Sequence, residues 1–273
     1  MHVHTVFSVD GSRFLRWQSD LLAYSHRKVR QPGPLTRIYS AHNKPSVFAG
    51  RTFRTPPYSP HPTTRDDYAP YNRIGGLAEW LETSPPKEST LLILDPDFVF
   101  LRPFDEPVKR GRPVAQEIGY MDPAIPRNAK VLQRHGYKAR AVQRMGIPLL
   151  IHRDDLRALV PLWMEKTMAI RDDRVSRKYA NWISDMWGYV FAAADLGLRH
   201  ELRNLAGWID QNADLPFIHY CHDSAVGTWV WTKYRYKAWK AIPEPPDGAP
   251  DTTVALVSLL NELARKKKHR VII

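Results

Sequence analysis

Cysteine is almost missing from this chain: Cys221 is the single one among 273 residues. One thiol cannot form an intrachain disulfide, so a disulfide framework is excluded and nothing requires an oxidising compartment. No run approaches the ~20 consecutive apolar residues of a membrane-spanning helix. The opening residues, Met1 to Phe7, carry neither the basic stretch nor the long apolar stretch of a secretory leader. No segment repeats elsewhere. These absences lead us to expect a soluble, cytoplasmic protein with no membrane partner.

What is present is ordinary in bulk and unusual in two respects. Hydrophobic residues make up 43% and charged residues 25%, which is globular composition with ample material for a core. Proline reaches 23 residues, which predicts many loops and fixed turns. The formal net charge is +12, which favours an acidic or polyanionic partner.

Along the chain, His4 to Val9 reads as a first core strand. Ser12 to Arg27 places Phe14, Trp17, Leu21 and Leu22 at helical spacing. Gln31-Pro32-Gly33-Pro34 stops that helix, and Leu35 to Ser40 reads as a second strand. A strand–helix–strand opening predicts an α/β fold with a parallel sheet. Residues 43 to 70 read as a long loop or lid. Further helices are expected over Asn72–Leu81, Asp154–Ala169, Trp182–Leu196 and Thr252–Ala264. Further strands are expected over Leu91–Leu94, Arg112–Ile118, Ile147–His152, Leu198–Asn204 and Leu215–Tyr220. Residues 121 to 145 read as basic and irregular.

The stretch "LLILDPDFVFLRP" carries the sharpest chemical signal. Four aliphatic residues end at Asp95-Pro96-Asp97, which aims two carboxylates out of the carboxyl end of a buried strand. In an open α/β sheet, ligands bind at that end. Two carboxylates so placed can hold a hard divalent cation such as Mg²⁺ or Mn²⁺, which keeps positions open for substrate phosphates. Asp-x-Asp alone marks a solvated turn more often than a metal site; the preceding strand supplies the missing context. A second stretch, "FIHYCHDSAVGTWVWTK", adds His219 as a third ligand, and Gly227 and Lys233 for a diphosphate. The combination points to transfer of a sugar from a nucleotide-sugar. A lone histidine is more often structural, and the pairing with the acidic stretch decides against that here.

These segments, with "HTVFSVDGSRFLRWQ", "QPGPLTRIYS", "YNRIGGLAEWL", "RGRPVAQEIGY", "HRDDLRALVPLWMEKT" and "WISDMWGYVFAAADLGLRHELRN", resemble the peptidyl serine α-galactosyltransferases. More distantly they resemble the hydroxyproline O-arabinosyltransferases. The similarity spans nearly the whole chain. It implies an α/β GT-A fold: a Rossmann-like mixed sheet flanked by helices in one domain. It also implies a UDP-sugar donor, a divalent metal, a hydroxyl acceptor and retention of anomeric configuration. Asp95, Asp97 and His219 fall on metal positions, and Lys233 on the late lysine. Asn72 and Arg73 fall on an Asn-Lys step with the charge kept. Thr5, Ser8 and Arg37 fall where uridine and phosphate would be held. Asp185 replaces a glutamate and is the candidate catalytic carboxylate. It would stabilise an oxocarbenium-like centre, orient the acceptor, or attack directly; the structural alternative is a pairing with Arg199 or Arg203. Cys221 and His222 depart from the family pattern.

We expect residues 1–242 to form the catalytic domain, with the donor part over about 1–120 and the acceptor part over about 121–242. Residues 243–273 then form a linker, a helix and a basic tail packed on it. The acceptor is less determined. Basic clusters at Lys109–Arg112, Arg134–Arg144, Arg174–Lys178 and in "TKYRYKAWK", where aromatics interleave, favour DNA carrying a 5-hydroxymethylpyrimidine. The resemblance favours a serine or hydroxyproline peptide. A non-catalytic DNA- or carbohydrate-binding module is the third reading, and the retained acidic pair speaks against it.

Overall fold

A computed structural model describes residues 2–270; the last residues of the expected tail lie outside the described residues. The chain opens with β1 (His4–Val9), an apolar strand buried along nearly all its length. The Ser12 hydroxyl then accepts from the Leu15 N–H and starts α1 (Arg13–Lys28), which buries Trp17, Leu21 and Leu22. β2 (Leu35–Ser40) returns parallel to β1, and β3 (Arg51–Thr55) adds parallel to β2 at the sheet edge. After α2 (Tyr71–Thr83), β4 (Thr90–Leu94) lies on the other side of β1, again parallel.

The second half is mixed. β5 (Phe98–Phe100) leaves the main sheet, and β6 (Val114–Glu117) rejoins it. Then come α3 (Pro126–Arg134), β7 (Met145–His152), α4 (Arg153–Asp172), α5 (Arg174–Ala180) and α6 (Ser184–Asp195). β7 runs antiparallel between β4 and β6, and β8 (Glu201–Arg203) closes the edge parallel to β6. The seven-stranded order is β3-β2-β1-β4-β7-β6-β8. β9 (Ala206–Trp208) and β10 (Phe217–His219) join β5 in a small second sheet. β11 (Ser224–Val226) and β12 (Trp229–Trp231) form a hairpin, and α7 (Asp251–Arg270) ends the described chain.

Strand alternation sends apolar side chains to both faces of the main sheet. Val6, Ile38, Leu91, Ile93 and Ile151 pack with α2, α4 and α6 on one face. Phe7, Leu92, Leu94 and Leu150 pack on the other. A third cluster joins Trp17, Leu21 and Tyr24 of α1 to Leu256, Leu260 and Leu263 of α7. Each such side chain contributes about 1.5–3 kcal/mol on burial, before the cost of ordering the chain.

The α/β mixed sheet flanked by helices matches the expected fold, and each expected strand and helix has a counterpart. Several elements were not expected: β5, α5, β9 and the β11–β12 hairpin, and α7 runs through the start of the expected basic tail to Arg270. The expected loop over 43–70 contains β3, and the irregular stretch over 121–145 contains α3. β3 is an edge strand, largely exposed, so "RTFRT" shows no apolar alternation. α3 anchors itself with little more than Val131 and Leu132, with Pro126 at its start. No helix among the described residues is long and apolar enough to cross a membrane.

Candidate active site

Strand β4 is buried over all five residues and delivers Asp95 and Asp97 just past its carboxyl end. The next strand explains why His219 is beside them. β5 starts one residue after Asp97, and its Phe98 pairs with His219 of antiparallel β10. The Phe98 and His219 rings stack at 4.2 Å, and the Tyr220 N–H donates to the Asp97 carbonyl at 3.1 Å. Ligand atoms of Asp95, Asp97 and His219 all lie within 4.8 Å of one another.

Two cations hold the outer sides of this group. Lys233 Nζ donates to Asp97 Oδ2 at 2.6 Å, and Arg73 Nη1 donates to Asp95 Oδ1 at 2.5 Å. Arg73 Nη2 also donates to Asp185 Oδ2 at 2.6 Å. Burial opposes charge on Asp97, but His219 and Lys233 outweigh it and hold the carboxyl well below the usual range. Burial raises the Asp95 pKa; Arg73 only partly offsets this, and neighbouring Asp97 adds repulsion. Burial would lower the His219 pKa, but Asp97, with its Oδ1 3.4 Å from Nε2, pushes it up to about 10. Arg73 and Lys233 likewise stay charged, because their acidic partners override burial.

The donor set fits a divalent cation. Asp95 Oδ2 and Asp97 Oδ1 are the carboxylate oxygens not claimed by Arg73 or Lys233, and the imidazole lies beside them. Two hard oxygens and one nitrogen suit Mn²⁺ or Mg²⁺. The excess positive charge around Asp97 shows what the ion would replace: the proton on His219.

Of the expected residues, the structure therefore brings Asp95, Asp97, His219, Lys233, Arg73 and Asp185 together. Asp185 is 2% exposed and pairs with Arg73. Neither structural alternative holds: Arg199 binds the Arg140 carbonyl, and Arg203 pairs with Glu106 and Glu201. Ser8 is half-buried near the end of β1, beside β4. Arg37 lies in a recess of about 270 Å³ with Asp10, Arg13, Arg16, Tyr39 and Lys44, at the carboxyl ends of β1 and β2. Three other expected residues lie apart from this group. Thr5 is inside the sheet at 0% exposure. The Asn72 side chain is used locally, accepting from the Tyr58 and Ser59 N–H groups. Gly227 has φ +58° and turns the β11–β12 hairpin, lining a different recess with Trp229, Glu244 and Pro246.

Sequence reasoning missed two phenols. The Tyr68 hydroxyl lies 2.7 Å from Asp185 Oδ1 and 2.6 Å from the Trp182 carbonyl. It also accepts from the Asp185 N–H at 3.0 Å. Burial, reinforced by Asp185, pushes its pKa far up, so it stays a donor. Tyr120 contacts Met186 Sδ at 3.7 Å; burial and the nearby Cys221, Asp95 and Asp185 raise its pKa. No spacing signal marked either residue.

The N-terminal domain that defines the hydroxyproline O-arabinosyltransferase family matches residues 3–202. The chain belongs to this family. Among its arabinosyltransferase relatives, one from Medicago truncatula is 25% identical over 95% of this chain and 79% of its own length. A peptidyl serine alpha-galactosyltransferase of Arabidopsis thaliana is 31% identical over 89% of this chain. This family member spans only about a third of that protein, 34%. Among solved structures, the galactosyltransferase LgtC, in complex with donor and acceptor sugar analogues, superposes with a TM-score of 0.55. That match covers 97% of this chain and 96% of the other at 12% identity, so it shows the fold, which is GT-A. Named relatives and fold agree: this member of the arabinosyltransferase family is a glycosyltransferase.

Proposed function

We propose that this chain transfers a sugar from a UDP-sugar to a hydroxyl of a serine- or hydroxyproline-containing peptide, with a divalent cation and with retention of configuration. One observation carries the reading: the convergence of Asp95, Asp97 and His219 within 4.8 Å at the carboxyl end of β4. Asp95, Asp97 and His219 would hold Mn²⁺ or Mg²⁺, which would neutralise charge on the departing diphosphate. Lys233 extends the positive field on the same side. The recess around Arg37, with Ser8 nearby, is the place for the nucleoside. It opens beside β1, next to the strand that delivers the acidic pair.

Asp185 faces the reacting carbon in this reading. Both of its oxygens already accept hydrogen bonds, from Tyr68 and from Arg73. A carboxylate so held is better suited to stabilising positive charge on the sugar than to attacking it.

The acceptor rests on the relatives, whose names carry serine and hydroxyproline. The basic clusters that favoured DNA are in part internally paired: Arg110 with Asp155, Arg134 with Asp173, Arg144 with Glu117, and Lys233 with Asp97. Paired cations offer phosphates less than their number suggests. The test is UDP release with Mn²⁺ in the presence of a serine peptide, a hydroxyproline peptide or hydroxymethylated DNA. We expect turnover with a peptide. Turnover with DNA alone would reverse the acceptor assignment. No UDP release with any metal or acceptor would favour a binding module.

A further inference from the structure

Trp182 stands outside the fold beside the carboxylate around which the site is built. The chain has nine tryptophans, and this is the one left exposed, at 66%. Tryptophan brings more apolar area than almost any other residue, and folding normally buries it. Its backbone is also held in an unusual way. Asn181, just before it, has φ 44° and ψ −116°, a conformation that costs a residue other than glycine about 1–3 kcal/mol. Trp182 and Asp185 are three residues apart across the tight turn Asn181–Ile183 that enters α6, a spacing that puts side chains on one side. Tyr68 ties the two together: its hydroxyl lies 2.6 Å from the Trp182 carbonyl and 2.7 Å from Asp185 Oδ1, and its ring meets the indole edge-on at 6.0 Å.

Two runs of contacts start from the acidic pair, whose ligand atoms lie within 4.8 Å of each other. Lys233 binds Asp97, and Asp95 binds Arg73. Arg73 then binds Asp185, Asp185 binds Tyr68, and Tyr68 binds Trp182. The ion and diphosphate belong at the lysine end. The indole lies at the other end, past the carboxylate that faces the reacting carbon. We infer that Trp182 is the acceptor shelf, and that its exposed indole stacks on a pyrrolidine ring of a proline- or hydroxyproline-rich acceptor peptide. This rests on the proposed transfer to peptide hydroxyls. A chain of pyrrolidine residues is already extended and pre-ordered, and flat aromatic surfaces are what recognise it. Tyr120, 39% exposed and touching Met186 one residue past Asp185, is a second partly exposed aromatic close to that carboxylate.

The test uses two synthetic peptides: one alternating serine with 4-hydroxyproline, and one alternating serine with alanine. Binding and sugar transfer are measured for the unaltered protein, Trp182→Ala and Trp182→Phe, with UDP affinity measured in parallel. We expect Trp182→Ala to weaken the pyrrolidine peptide about tenfold, in both Kd and KM, with Trp182→Phe in between. The alanine peptide and UDP should bind the three proteins alike. Equal binding of the pyrrolidine peptide by the unaltered protein and Trp182→Ala overturns the shelf. So does failure of the unaltered protein to bind that peptide at all, or a tenfold loss confined to hydroxymethylated single-stranded DNA. Peptide binding that depends on Trp182 without sugar transfer leaves the shelf standing and removes the transfer reading instead.

Discussion

The Arg73 guanidinium reaches Asp185 at 2.6 Å while its other terminal nitrogen holds Asp95 at 2.5 Å. One rigid fork thus sets the spacing between the acidic pair and the candidate catalytic carboxylate. A lysine carries its three donors on one nitrogen and cannot reproduce the planar two-nitrogen fork that sets this spacing. Arg73→Lys should therefore keep much of the stability and lose most of the turnover. Arg73→Ala leaves the buried Asp185 carboxylate and the one-third-exposed Asp95 without a cation, which lowers stability chiefly through Asp185. Urea unfolding together with UDP-release rates checks both. Turnover in Arg73→Lys equal to that of the unaltered protein would contradict the spacing role.

Asp97 is only 7% exposed and carries two cations, Lys233 at 2.6 Å and His219 at 3.4 Å. A residue on an open cleft wall would be dispensable to the fold; this one is not. Asp97→Ala should abolish metal-dependent turnover and also lower stability by about 3 kcal/mol, since it strands the buried Lys233 ammonium, while His219 without Asp97 gives up its proton. His219→Ala should abolish turnover at a smaller stability cost, because Lys233 still neutralises Asp97. Calorimetry and Mn²⁺ titration of both variants separate the two effects.

Tyr68→Phe removes one hydroxyl that serves three partners: Asp185 Oδ1, the Trp182 carbonyl and the Asp185 N–H. The two Asp185 groups it leaves are buried, and losing their partner costs about 1–3 kcal/mol. Asp185 keeps Arg73 but loses the contact that fixes its rotation. We expect kcat to fall more than tenfold with little change in the KM for the UDP-sugar, as for a group acting through another. A KM effect without a kcat effect would place Tyr68 in donor binding.

Much of this site could be read before the fold was known, for identifiable reasons. Asp95 and Asp97 follow four aliphatic residues, and that run is a strand buried on both faces. Turn and helix signals around β1, α1 and β2 agreed with one another, so the opening unit could be read. His219 was found by resemblance and by residue type, yet nothing local could show that β5 and β10 pair. Both strands have three residues, too few for any period to register. The Arg73 bridge and the Tyr68 contact are long-range and lie outside any spacing rule. Residue type alone also could not show that Thr5 is fully buried or that the Asn72 side chain accepts from the Tyr58 and Ser59 N–H groups.

Two buried histidines make stability depend on pH. Desolvation takes the His26 pKa down to about 4, and that of His200 down to about 3. In the unfolded chain both return to about 6.5. Between those values the unfolded state binds more protons, so stability falls as pH drops below 6.5 and is fully present above it. Each histidine contributes a slope on the order of 1 kcal/mol per pH unit within its window. Urea midpoints should fall steadily from pH 6.5 to 4.5, and His26→Leu should flatten part of that slope. A slope unchanged by His26→Leu would show that other groups govern acid sensitivity.

Gly188 sits one turn beyond Asp185 on α6, where that helix crosses α4. A Cβ placed there would come within 2.1 Å of Thr167 Oγ1, 2.9 Å of the Thr167 nitrogen and 3.0 Å of its Cα. The first contact can be relieved by trimming the side chain; the other two are backbone and cannot. Gly188→Ala should therefore force α6 away from α4 and cost about 1–3 kcal/mol, despite alanine's better helix propensity. Adding Thr167→Ala should recover only part of that loss. Because Asp185 rides on the same helix, one turn earlier, the shift should also lengthen its contacts to Arg73 and Tyr68 and slow turnover. Full recovery of stability and rate in the double variant would mean that the hydroxyl alone sets the helix spacing, and that the glycine is not what fixes the depth of Asp185.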